Sequence, residues 1–216
     1  MEIKALGDNA LVIFYNTGDY IPESLVQKDY LKLNRAKPDW ITDIVPCYSN
    51  IGIYFRHDDI TVEEVWEYIT SRLKEQRLPE AEYKENKVAV PVYYGGEFGP
   101  DLPHLAGQLG MPPEEIIKIH SSALYKVVNI GFLPGFPYLA GLPKKLAVAR
   151  KKTPSLKVPA GSVAIAGNYT GIYPFESPGG WHIIGRTPLR MFDLNRSEPC
   201  LLKPGDTVRF LPQTNY

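Results

Sequence analysis

Arg186 stands between Gly185 and Thr187 at the end of the segment TGIYPFESPGGWHIIGRTP. A guanidinium on glycine-rich backbone binds a carboxylate or a phosphate through a bidentate fork, which makes Arg186 the first candidate anion clamp. An equally open reading pairs it with Asp193 or Glu176 as scaffold. Further cations flank or lie within the same region: Arg150, Lys151, Lys152 and Lys157. Around them Thr170, Tyr173, Ser177 and the amides of Gly179 and Gly180 offer polar contacts, and Phe136 and Trp181 offer apolar walls, the combination that small-molecule sites require. Taken singly, each aromatic reads as barrel core and each glycine as a turn. Taken together they exceed what a plain barrel needs and suit a pocket or a partner surface.

The elements that must position these residues have an unusual composition. Residues 131–188 hold 9 of the chain's 18 glycines and 8 of its 20 prolines, interleaved with Phe132, Phe136, Tyr138, Tyr173, Phe175 and Trp181. Glycine permits positive φ, and proline fixes φ and removes a donor, so such a run describes tight turns around a shaped surface. Short apolar stretches, Ser162–Ile165 and Trp181–Ile184, alternate with those turns as strands do.

Several familiar chemistries are absent. The chain has no GxxxxGK[ST] loop, no GxSxG elbow and no HExxH, and His57, His104, His120 and His182 are scattered, so no metal site is expected. Lys and Arg total 24, as do Asp and Glu, which disfavours nucleic acid as a partner. With 44% hydrophobic and 22% charged residues, the composition is that of an ordinary globular protein. The apolar run Ala10–Tyr15 is too short to span a membrane, the start lacks a secretory layout, and a cytoplasmic location is expected. Cys47 and Cys200, far apart and without a CxxC partner, read as free thiols.

Periodicity divides the chain. Ala10–Tyr15 reads as a strand, Ile21–Ala36 as a helix carrying Leu25, Tyr30, Leu31 and Leu33, and Ile41–Cys47 and Ile51–Phe55 as two strands. Thr61 and Glu64 form a capping box ahead of a helix with Val65, Trp66, Ile69 and Leu73 at helical spacing. Lys87–Tyr94 offers a last strand, giving the split βαβ, ferredoxin-like order βαββαβ, although Val88–Tyr94 suits either side of the polar boundary tract 79–87. Two short helices follow, Leu102–Leu109 and Pro113–Ser121, the second with Glu114 and Glu115 in its first turn and Lys118 and His120 in its last. Many short strands after Tyr125 then argue for a closed β-barrel. The expected class is α+β, with residues 1–86 as the ferredoxin-like domain and 87–216 as the barrel.

The segments GFLPGFPYLAGL (131–142) and GIYPFESPGGWHIIGRTP (171–188) occur with Asp43–Pro46, VPVYYGGEFGPD (90–101), His120-Ser121 and LKPGDTVRF (202–210). In this order they resemble the 5-oxoprolinase B-subunit family, also called the KipI or allophanate hydrolase subunit 1 family, over nearly the whole chain. The resemblance implies a cyclophilin-like barrel and a hydrolase that opens 5-oxoproline to glutamate at the expense of ATP, with magnesium. It implies two partners, a 5-oxoprolinase C subunit of the allophanate hydrolase subunit 2 or KipA type and an A subunit, and leaves the chain inactive alone. A second implied role is inhibition of a sensor histidine kinase. The resemblance makes His120 a catalytic candidate beside Arg186, at a helix end whose dipole would favour its protonated form. Arg150 and Lys157 join Phe136, Thr170, Tyr173, Ser177, Gly179, Gly180 and Trp181 as substrate or nucleotide contacts, since phosphoryl transfer rests on positioned cations. Two positions depart from the family pattern: Ser155 stands where an arginine usually follows Thr-Pro, and Tyr169 where a glutamine usually precedes Thr-Gly-Ile-Tyr-Pro. Lys152 or Lys157 could compensate for the first. Prolyl isomerase chemistry, suggested only by the implied fold, finds no matching motif.

Overall fold

Strands β1 (Glu2–Ala5), β2 (Ala10–Phe14), β3 (Ile41–Pro46) and β4 (Asn50–Phe55) pair antiparallel in the order β1-β2-β4-β3. Side chains alternate across a strand, so β4 sends Ile51, Ile53 and Phe55 to one buried face. Helices α1 (Glu23–Arg35) and α2 (Val62–Lys74) add Val26, Leu33, Val65 and Ile69 to the same core. The capping box forms: the Thr61 amide and hydroxyl donate to Glu64 Oε2 at 2.9 and 2.8 Å, and the Glu64 amide donates to Thr61 Oγ1 at 3.3 Å. Trp66 departs from expectation and is 43% exposed, because it directly follows the buried Val65 and turns off the core-facing stripe.

The computed structural model describes residues 1–15, 23–35, 37–47, 49–74 and 86–213, and the chain divides into two compact units, 1–84 and 85–216. Ile21, Pro22 and Ala36 of the expected helix, and residues 79–85 of the boundary tract, lie outside the described set. No helix among the described residues is long and apolar enough to cross a membrane.

The first unit corrects the predicted βαββαβ order. Its sheet keeps β4 between β2 and β3, as a split βαβ requires, but the edge beside β2 is filled by β1 from the chain start. The strand expected there, β5 (Lys87–Tyr94), belongs to the second unit, where it runs parallel to β13 (Thr207–Gln213) from Lys87↔Thr207 to Tyr93↔Gln213. Val90 and Val92 of β5 are buried in the barrel core, which outweighs any pairing with the first sheet.

The second unit closes a seven-stranded barrel in the order β10-β7-β6-β13-β5-β12-β9, leaving no unpaired edge. Its remaining strands are β6 (Tyr125–Ile130), β7 (Pro137–Ala140), β9 (Ser162–Ala166), β10 (Tyr169–Ile172) and β12 (His182–Arg186). A separate ribbon pairs β8 (Ser155–Val158) with β11 (Ser177–Gly179). Helices α3 (Leu102–Leu109) and α4 (Pro113–Ser122) contribute Leu102, Leu105 and Ile116 to the barrel core.

Strand β9 is buried at all five positions, which a surface strand of a barrel cannot be unless something covers its outer face. Val163 and Ile165 point into the barrel, and Ala164 and Ala166 belong to a second core with Phe136, Val158, Tyr173, Trp181 and Ile183. The same alternation splits β7 into inner Leu139 and outer Tyr138, and β10 into inner Ile172 and outer Tyr169. Period two thus places an aromatic layer on the outside of the barrel.

Candidate functional site

Phe136 is the centre of that outer layer. Its ring lies 5.1 Å from Tyr138, 5.1 Å from Tyr173, 5.5 Å from Trp181 and 5.5 Å from Phe132, each pair edge-to-face. Such pairs add about 0.5–1.5 kcal/mol each beyond the area they bury. Two glycines make it possible. A Cβ at Gly171 would lie 2.8 Å from Phe136 Cζ, and one at Gly179 would overlap the Tyr173 hydroxyl.

The loop from β6 to β7 sets the mouth. Leu133-Pro134-Gly135-Phe136 is a β-turn closed by the Phe136 amide donating to Leu133 O at 3.0 Å, and Gly135 takes φ 82 as a type II turn demands. Just before it, the Leu133 amide donates to Gly131 O at 2.8 Å, which makes Phe132, at φ 69, the centre of a positive-φ γ-turn. Phe132 is the one non-glycine with positive φ among the described residues, and such strain costs on the order of 1–3 kcal/mol. Its ring is 61% exposed and also stands edge-to-face on Tyr173.

These elements form a half-open pocket of about 260 Å³, lined by Phe132, Phe136, Tyr138, Arg150, Pro154, Tyr173, Pro178, Gly179, Gly180 and Trp181. Arg150 is its single cation among the described residues, and no acidic side chain of that set lines it. The segment carrying Arg150 is stitched down on both sides. Val148 bridges Gly167, Ala149 O accepts from His182 Nε2 at 2.9 Å, and the Lys151 amide donates to Gly180 O at 2.8 Å. Lys151 Nζ donates to Asp101 Oδ2 at 2.9 Å and to Ser155 Oγ at 2.7 Å, and the same Asp101 oxygen accepts from the Ile183 amide at 2.7 Å. The residue that meets Ser155 is therefore Lys151, while Lys157 pairs with Glu176 at an exposed site.

Desolvation pushes the Tyr173 phenol above its ordinary range, against a backbone hydrogen bond at Trp181 and the attraction of Arg150. Desolvation raises Tyr138 too, and Arg150 again opposes the shift. Both hydroxyls stay protonated at neutral pH and remain able to donate. Among the described residues Arg150 makes no ion pair with a carboxylate.

Of the residues singled out from sequence, Phe136, Arg150, Tyr173, Gly179, Gly180 and Trp181 come together at this pocket, and Lys157, Thr170, Ser177, Arg186 and His120 are not among its lining. Arg186 sits at the end of β12 with its guanidinium 5.4 Å over the Phe98 ring. Neither carboxylate proposed for it is its partner, since Asp193 pairs with Arg190 and Glu176 with Lys157. Ser177 Oγ donates to its neighbour Pro178 O at 3.2 Å. Phe132, Tyr138, Pro154 and Pro178 complete the lining without having been candidates. For Phe132 the usable signal was Leu-Pro-Gly, which fixes a turn that projects the preceding residue.

His120 and Thr170 belong to a buried relay. Thr170 Oγ1 donates to Ala164 O at 2.9 Å, so at 2.9 Å from His120 Nε2 it accepts, and the proton resides on Nε2. His120 Nδ1 then accepts from the Tyr94 hydroxyl at 2.8 Å, while the Tyr125 hydroxyl donates to His120 O at 2.7 Å. The ring is 0% exposed, and desolvation lowers its pKa to about 3. The expected protonated form is thereby corrected: burial outweighs the helix dipole, and the imidazole is neutral.

The family model for the carboxyltransferase domain, subdomain C and D, matches residues 1–202. The 5-oxoprolinase B subunit of Bacillus subtilis is 37% identical over 97% of this chain and 92% of its own length. The protein of the same name from Haemophilus influenzae is 50% identical over 79% of each chain. The crystal structure of TTHA0988 superposes with a TM-score of 0.82 at 33% identity, covering 96% of this chain but 40% of that longer one. The chain belongs to the carboxyltransferase subdomain C and D family, among the 5-oxoprolinase B subunits.

Proposed function

We propose that this chain is the cytoplasmic B subunit of an ATP-dependent 5-oxoprolinase, acting with a C subunit and an A subunit to open 5-oxoproline to glutamate. The observation that carries the reading is the pocket beside Arg150: a half-open aromatic recess whose one cation makes no ion pair among the described residues, in a chain whose relatives are named for this enzyme. Its residues bind and orient. Among the described residues its lining holds no serine, cysteine, histidine or carboxylate to act as nucleophile or base, and on this reading another polypeptide of the complex supplies those groups.

The same lining does not fit a magnesium-bound triphosphate, which calls for several cations and donors around the phosphates. Among the described residues Arg150 is the single lining cation, and no three His, Cys, Asp or Glu side chains converge on a metal position. ATP, on this reading, engages the assembled complex outside this pocket. Nothing in the site geometry favours the histidine-kinase role. Mixing the purified chain with its C and A subunits should release glutamate from 5-oxoproline only when ATP is added, and the chain alone should release none. A complete mixture that stays inactive would overturn the assignment.

A further inference from the structure

We propose that the pocket beside Arg150 is a selective site for a small, flat organic monocarboxylate, and that it rejects nucleotides and free phosphate. The inference rests on the 5-oxoprolinase reading for its choice of probe and goes beyond it in assigning the carboxylate contact, the ring contact and the excluded class to residues of this chain.

Size is the first argument. About 260 Å³ in a half-open recess lies below the ~300–1,000 Å³ of sites that take drug-sized ligands, and it accommodates a five- or six-membered ring with one substituent. Charge is the second. One guanidinium with no acidic neighbour among the described lining residues matches one negative charge, and a fork of donors matches a carboxylate edge. Wall chemistry is the third. Phe132 and Tyr138, backed by the buried rings of Phe136, Tyr173 and Trp181, form an apolar wall that favours a planar, weakly hydrated body over a phosphate, whose desolvation a single cation does not offset. Placement is the fourth: Arg150 side-chain freedom is unrestrained by any ion pair among the described residues, but its backbone is fixed by the bonds at Val148, Ala149 and Lys151. The cation is held at the pocket without being consumed by a structural role. The part-exposed, protonated phenol of Tyr138 completes the site as a neutral donor for a lactam or carbonyl oxygen.

Trp181 reports on the site directly. Of the three tryptophans, Trp40 packs edge-to-face on Tyr68 in the first unit and Trp66 is exposed, so the full-length double variant Trp40→Phe, Trp66→Phe leaves Trp181 as the sole indole. Its fluorescence is titrated with L-5-oxoproline, with 2-pyrrolidinone, which is the same ring without the carboxylate, with inorganic phosphate and with magnesium ATP. A saturable response to L-5-oxoproline is expected, weakened about tenfold or more for 2-pyrrolidinone and by Arg150→Gln, with neither phosphate nor ATP competing. Because Arg150 is exposed, the Arg150→Gln variant keeps its fold, which a thermal melt checks. Equal responses to the two rings, an unchanged Arg150→Gln titration, displacement by ATP or phosphate, or no response to L-5-oxoproline would each overturn the proposal. Absent binding in an assembled complex that still hydrolyses 5-oxoproline removes this site alone. Arg150-dependent binding in a complex that never turns over supports the site and removes the enzymatic reading instead.

Discussion

The barrel has two hydrophobic cores that share strands and differ in kind. Inside, two of nineteen buried residues are aromatic, Tyr125 and Phe210, and the rest are aliphatic apart from Met191. Outside, Phe136, Tyr173 and Trp181 dominate a cluster of seven, with Tyr138 and Tyr169 packed against it. The interior is what closes a barrel, because branched aliphatic side chains fill the space between strands. The exterior cluster is not required for closure. It leaves a concavity, keeps a cation at its edge and tolerates a strained Phe132, and strain of that sort persists where surrounding structure holds a site in place.

The contrast is broken most strongly from the inside. Phe210→Ala should destabilise the chain by about 3–5 kcal/mol in urea unfolding, since it empties a fully buried site against Tyr125 and His120. A loss below about 1 kcal/mol would mean that the interior is not what holds the fold.

Next in size is the pH dependence of the interior. His120 has a folded pKa of about 3, below its unfolded value of roughly 6.5. The unfolded chain therefore takes up a proton that the folded chain refuses. This contribution is complete above pH ~6.5 and is lost as pH falls toward 3, at up to about 1.4 kcal/mol per pH unit. Ring NMR signals of His120 should not titrate between pH 8 and 5, and a midpoint near 6.5 would contradict its placement.

The outer cluster should respond more mildly in stability and more sharply in binding. Gly171→Ala puts a methyl against the Phe136 ring, so about 1–3 kcal/mol of overpacking and loss of the Trp181 response to L-5-oxoproline are expected together. The smallest change is Phe132→Gly. Relief of the positive φ offsets the lost ring contacts and the freer unfolded chain, and the melting free energy should stay within about 1 kcal/mol of wild type.

How much of this was legible beforehand follows the reach of each interaction. The Thr61–Glu64 capping box spans three residues and reads directly from sequence, and so does the dense aromatic and glycine run that holds most of the pocket. β1 was not readable, because Glu2-Ile3-Lys4-Ala5 has little strand propensity and is recruited by pairing with β2. β5 has the right pattern for a strand, but only the long-range pairing with β13 assigns it to the barrel. Thr170 and Tyr169 look equivalent as neighbours in a motif. Register alone sends Thr170 inward to His120 and Tyr169 outward to Tyr138. Arg186 had the right chemistry for a clamp, yet the ring it meets, Phe98, comes from a turn 88 positions earlier in the chain.

Arg150→Gln in the reconstituted complex tests the division of labour most directly. The account predicts a melting temperature within about 1 °C of wild type, as for an exposed side chain outside the core, and ATP-dependent glutamate release reduced about tenfold or more. Wild-type glutamate release with the fold intact would contradict it.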